Sequence, residues 1–113
     1  MIVFNMYRGD DKKYELEVTD KQTGEPVAIN GCTFKFTWKI NKSDANYVLQ
    51  KTVGSGIELT DPDNGVAEIT IDAADTSSLT KKTEYYFDIE ITKTDTKVET
   101  LMEGKFKILM DVS

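Results

Sequence analysis

Apolar and polar residues alternate strictly between Cys32 and Ile40. Cys32, Phe34, Phe36, Trp38 and Ile40 fall on one parity, and Thr33, Lys35, Thr37 and Lys39 on the other. Side chains along a strand point to opposite faces with a period of two, so this stretch predicts a strand with one face on a core and one in water. The same alternation recurs along most of the chain. An opening strand is expected over Ile2–Tyr7, closed by Arg8-Gly9-Asp10-Asp11. A second, over Lys12–Thr19, turns Tyr14, Leu16 and Val18 inward and Lys13, Glu15 and Glu17 outward. Asp20–Pro26 reads as a turn, punctuated by Gly24 and Pro26. Beyond the Phe/Trp strand, a polar loop over Asn41–Asn46 leads to a short strand at Tyr47–Thr52, a candidate sheet edge. Gly54-Ser55-Gly56 breaks it, and Ile57 starts the next strand.

Asp61-Pro62-Asp63-Asn64-Gly65 is the strongest hairpin signal, because Asn-Gly supplies the positive φ angles of tight hairpin turns. The strand after it points Ala67, Ile69 and Ile71 inward. Asp72–Leu79 predicts one helical turn, capped by Asp72 and plugged into the core by Leu79. Glu84–Thr92 then sets Tyr85, Phe87, Ile89 and Ile91 against Tyr86, Asp88 and Glu90. The last strand, Lys97–Met110, holds Val98, Met102, Phe106, Ile108 and Met110 in phase, with Gly104 as a bulge or close approach. Many short strands without a long helical pattern imply a single all-β domain over residues 1–113. The expected architecture is an antiparallel immunoglobulin-like β-sandwich of about seven to nine strands with one short helical turn. The inward Trp38, and a Tyr85-Tyr86 pair where a tyrosine corner would sit, fit that arrangement.

Composition narrows the function. The 39% hydrophobic and 30% charged fractions are those of a soluble globular domain, and 113 residues suffice to bury a core. No apolar run approaches the length of a membrane span, and the N-terminus lacks a secretion-signal pattern. Met1 running straight into the first strand favours a natural start. A single cysteine excludes an internal disulfide and makes Cys32 a small core residue. The net charge of −6 argues against nucleic-acid binding, which depends on Lys and Arg neutralising phosphates. That charge is unevenly spread, with residues 1–56 at net +1 and residues 57–113 at net −7.

The outward charges also test the strand order. In an immunoglobulin arrangement, Lys35 and Lys39 flank Asp88 and Glu90, with Lys105 and Lys107 on the far side, giving favourable cross-strand pairs. The opposite sheet exposes Glu15, Glu17, Glu58 and Glu68 together. That face is a solvated surface, or a docking face for a basic partner.

Catalytic chemistry finds little to work with. Histidine is absent, which removes the commonest general base and metal ligand, and Cys32 lacks an activating partner. Asp and Glu fall in turns or on wet faces, so no catalytic, cofactor-binding or metal-binding residue is assigned and the chain is not expected to be an enzyme. Asp61–Gly65 departs from calcium-loop spacing at Thr60 and Pro62 and reads as a turn. Arg8-Gly9-Asp10 spells an integrin-binding tripeptide, but Gly9 is explained by the needs of the turn. Tyr86, Leu101 and Leu109 fall out of phase with the core, and Tyr47 lies on the expected edge; clustered, they would mark a contact surface.

Tyr7-Arg8-Gly9-Asp10, the segment Phe34–Thr52, Lys51-Thr52-Val53-Gly54-Ser55-Gly56-Ile57, Asp75-Thr76-Ser77-Ser78-Leu79, Tyr85-Tyr86-Phe87-Asp88-Ile89 and Leu101-Met102-Glu103-Gly104-Lys105-Phe106 follow one another in a set order. In that order and spacing the chain resembles the immunoglobulin-like N-terminal module of upper baseplate proteins of tailed phages of Gram-positive bacteria. The resemblance covers essentially the whole chain. It implies a phage or prophage structural protein of the tail or baseplate, made in the bacterial host cytoplasm and located in the virion. Its partners would be other tail or baseplate proteins, with homo-oligomerisation a further option, and neither nucleic acid, membrane nor cofactor is implied. Larger relatives continue into a linker and further domains, whereas this sequence stops at Ser113. The competing expectation is a bacterial immunoglobulin-like surface or adhesion domain binding glycan or protein, with Tyr7, Tyr47 and Tyr86 as its available aromatics.

Overall fold

The computed structural model describes residues 2–77, 79 and 84–109. Eight strands run in chain order: β1 (Ile2–Tyr7), β2 (Lys12–Glu17), β3 (Thr33–Lys39), β4 (Leu49–Val53), β5 (Gly56–Asp61), β6 (Val66–Ile71), β7 (Glu84–Thr92) and β8 (Val98–Leu109). A 3-10 turn (Pro62–Asn64) joins β5 to β6, and the short helix α1 (Ala73–Thr76) follows β6. The strands form one hydrogen-bonded sheet in the order β1-β8-β7-β3-β4-β5-β6-β2. This sheet curls, barrel-like, until its first and last strands meet. The Phe4 ring of β1 lies 5.3 Å from the Tyr14 ring of β2, and Phe106 of β8 lies 5.9 Å from Tyr14.

Alternation fixes the interior. Phe34, Phe36 and Trp38 of β3, Ile69 and Ile71 of β6, Tyr85, Phe87, Ile89 and Ile91 of β7, and Phe106 and Ile108 of β8 are all buried. Trp38 has no exposed surface; its ring centroid lies 4.4 Å from Phe106, and it stacks on Tyr85 at 5.8 Å. Cys32 is buried with this core as a free thiol. Between strands the pairing is antiparallel with two exceptions. β1 runs parallel to β8, with Phe4 opposite Phe106, and β4 meets β5 in parallel over only Thr52↔Gly56 and Val53↔Ile57.

Several expectations needed correction. Ile40 is 42% exposed, because β3 ends at Lys39 and the chain turns into the polar loop. Thr37, expected on the wet face, is buried and accepts a hydrogen bond from Gln50 Nε2 at 3.2 Å, because β4 and β7 flank it on both sides. The strand expected at an edge, Tyr47–Thr52, starts at Leu49 and is internal, paired to both β3 and β5. β2 ends at Glu17, and Thr19 keeps only an isolated bridge to Pro26. The bulge in β8 falls at Leu101 rather than Gly104, since Ile89 pairs with Met102 and Glu90 with Thr100. That extra residue shifts the phase. Leu101 and Met102 both pack on the core and Val98 is exposed, while Gly104 sits buried and regularly paired with Phe87. Met110 lies outside the described residues.

The expected helical turn is present as α1, preceded by Asp72 in an extended conformation, with Leu79 packed on the core. The expected hairpin connects β5 to β6, but Gly65 alone supplies a positive φ (74°). The backbone needs glycine there for a second reason. A Cβ on Gly65 would lie 2.6 Å from the Val18 carbonyl oxygen, because the β2–β3 connection folds over this turn.

Candidate functional site

One end of the molecule is tied together by polar side chains from three distant segments. In the β1–β2 turn, the Gly9 N–H donates to Thr76 Oγ1 at 2.9 Å, and Asp11 Oδ1 accepts from the Ala73 N–H at 2.7 Å. Thr76 is fully buried. Lys51 of β4 reaches Asp75 of α1 at 2.7 Å, with side chains 12% and 19% exposed, and the same carboxylate accepts the Asp72 N–H at 2.7 Å. The Lys51 stem crosses Gly56, where a Cβ would collide with it. Arg8-Gly9-Asp10 is therefore part of a docked turn, further held by the Arg8 N–H donating to the Leu109 carbonyl at 2.8 Å.

At the other end, the β2–β3 connection clamps the 3-10 turn. The Val18 N–H donates to the Gly65 carbonyl at 2.8 Å and the Ile29 N–H to the Pro62 carbonyl at 2.9 Å. The carboxylates of the Asp61–Gly65 segment take amide donors, Asp63 from Asn30 at 2.7 Å and Asp61 from Asn64 at 3.0 Å. This is turn chemistry, and among the described residues no group of three or more Cys, Asp or Glu is placed to hold a metal ion. Asp20 accepts the Gln22 and Thr23 N–H groups, which hold its carboxyl below the usual carboxylate range.

The outer face of β3, β7 and β8 carries the charge pattern expected of neighbouring strands. Lys35 sits opposite Glu90, and Lys105 bridges to Glu84 at 2.8 Å. Asp88 is less well served. It pairs with Thr37 on one side and with the like-charged Glu103 on the other, and its Oδ1 is buried with no hydrogen-bond partner among the described residues. Burial first, and Glu90 second, push its carboxyl up against the opposing pull of Lys39. Tyr86 is half-buried, with the ammonium groups of Lys105 and Lys42 at 5.5 Å and 5.9 Å from its ring centroid.

On the other side, the expected acidic face is a ladder. Glu68 of β6 lies directly opposite Glu15 of β2 and directly opposite Glu58 of β5. Lys13 relieves it at one point, 3.6 Å from Glu68. Glu17 is outside the ladder, opposite Val66.

The exposed apolar residues do not form one cluster. Tyr47 and the exposed Ile40 line one hollow of the β3–β4 loop, and Leu101 is drawn into the core by the bulge. Tyr7 and Leu109, however, are direct cross-strand neighbours, 50% and 39% exposed. They lie on the outer face of β1 and β8, beside the free edge of β1. The sequence offers Tyr7 as an available aromatic but not its meeting with Leu109, which comes only through the parallel β1–β8 pairing that no local pattern encodes. Compared with known proteins, the chain matches no family model and no curated protein.

Proposed function

We propose that this chain is a structural protein of a tailed phage or prophage, a tail- or baseplate-associated module that works by protein–protein contact. The observation that carries the reading is the meeting of three of the segments on which the resemblance rests. Tyr7–Asp10, Lys51–Ile57 and Asp75–Leu79 are far apart in the sequence and converge in one network, through Gly9 to Thr76 and Lys51 to Asp75. Residues that hold a turn, a helix and a strand junction together are what an architectural resemblance would share.

The finer fold assignment belongs to the same proposal. β4 and β5 touch over two residue pairs only, so the ladder divides naturally into β1-β8-β7-β3-β4 and β5-β6-β2. Those are the orders expected of the two layers of an immunoglobulin-like sandwich, with a buried Trp on β3 at its centre.

Peptide mass spectrometry of density-purified phage particles, induced from the source strain, tests the reading. Stoichiometric recovery of the chain with tail proteins is the expected result. Its presence in the lysate and absence from intact particles would sink the proposal.

A further inference from the structure

The two margins of the sheet differ in chemistry: β2 carries four charged residues and β1 none. We propose that the free edge of β1 is a docking site for an extended segment of another protein, apolar at alternate positions and basic between them, added by backbone pairing. The inference rests on the protein-contact reading above and names the surface and the kind of partner.

Backbone accounting comes first. Among the described residues β8 alone pairs with β1, so the alternate N–H and C=O groups on its far side have no partner strand. Natural edges are usually guarded by charge, proline or a bulge. β1, Ile2-Val3-Phe4-Asn5-Met6-Tyr7, has none of these and pairs without a break in register. Such an edge is a template for strand addition.

Both flanks of the edge suit an apolar segment. Inward, a slot of about 90 Å³ separates β1 and β8 from β2, lined by Phe4, Tyr14, Leu16 and Met102, with Glu15 the one charged residue on it. Burial there pushes the Tyr14 phenol up. Outward, Tyr7 and Leu109 form an exposed apolar pair beside the polar pair Asn5 and Lys107. A strand laid on β1 would send every second side chain toward the slot and the rest outward.

Charge selects the occupant. The facing strand β2 exposes Lys12 and Lys13 at its start and Glu15 and Glu17 at its end; the Glu15–Glu68–Glu58 ladder lies behind the acidic half, and the chain carries a net −6. A second copy would bring another −6 and no basic residue within its own β1. Basic residues between the apolar ones meet that field favourably.

The test uses the intact chain and a fluorescein-labelled peptide, Lys-Val-Lys-Val-Lys-Val-Lys. One control has the same composition with its valines adjacent, and another has Glu in place of Lys. Fluorescence anisotropy should show saturable binding of the alternating basic peptide alone. The double variant Asn5→Lys/Tyr7→Lys should lose at least about tenfold in affinity at an unchanged melting temperature. If that variant melts lower, Tyr7→Lys alone, at an exposed position, carries the same expectation. No binding of the alternating peptide, equal binding of the composition-matched control, or undiminished binding by the variants overturns the inference. So does a concentration-dependent dimer in sedimentation that Tyr7→Lys abolishes, since it assigns the edge to a second copy. The two readings fail separately: phage particles without the chain overturn the tail assignment, while a peptide result overturns the edge.

Discussion

β1 and β2 terminate the same ladder, each with six residues, and their side chains meet at Phe4 and Tyr14. Four of the six β2 residues are charged, Lys12, Lys13, Glu15 and Glu17; in β1 none is. Both edges share the core, so stability does not explain the contrast. What differs is the outward chemistry. Charges on β2 make strand addition there costly, whereas nothing on β1 opposes it. One sheet thus has a charged margin and an uncharged one, and an interface at the uncharged margin needs no loop or cofactor.

The comparison can be broken most severely at the residue both edges share. Phe106 touches Phe4 of β1 and Tyr14 of β2, with Trp38 behind it. Phe106→Ala should cost about 3–5 kcal/mol in urea denaturation and loosen both margins together. Next in size is the tether between the β1–β2 turn and α1. Thr76→Val is nearly isosteric and leaves the Gly9 N–H without its acceptor, so a loss of about 1–3 kcal/mol is expected by the same measurement. Hydrogen exchange should then quicken in the turn and not at the β5–β6 end.

Glu15→Lys sharpens the contrast from the guarded side. It places a cation opposite Glu68 where two carboxylates now face each other, for a gain of about 0.2–1 kcal/mol that fades with added salt. The same change should weaken binding of the basic peptide at β1, so stability and binding would move in opposite directions. The smallest effect lies away from both edges. Asp88 has a carboxyl pushed up chiefly by burial, so its contribution is present below the ordinary Asp range and is lost as pH rises through the raised pKa. Asp88→Asn should match the wild type in acid and exceed it by about 0.5 kcal/mol at neutral pH, the half-exposed site keeping the gain small. Thermal melts across the carboxylate range check the sign.

Legibility in the sequence followed the range of the forces involved. Alternation named Phe34, Phe36, Trp38, Ile69, Phe87 and Phe106 as interior because a strand's two faces are set by its own backbone. It failed at Ile40, Thr37, Leu101 and Val98, where a strand end, two flanking strands or an inserted residue changed what the backbone faced. The acidic residues were visible as outward-facing, but their direct opposition across β2, β6 and β5 is a matter of register. The edge expected at Tyr47–Thr52 is paired on both sides, though over only two residue pairs with β5, while an edge at β1 carried no signal in the local pattern.

What the sequence alone determined is the all-β character, the positions of most strands, the inward Trp38 and the docking of neighbouring charged strands β3, β7 and β8. These follow from periodicity and from pairwise charge, which act over a few residues. Tertiary structure alone decided that β1 runs parallel to β8, that Tyr7 meets Leu109 and that Gly9 hangs from Thr76. Each joins segments more than sixty residues apart, and the sequence has no local term for such a meeting; the closing of the sheet around one core supplies it.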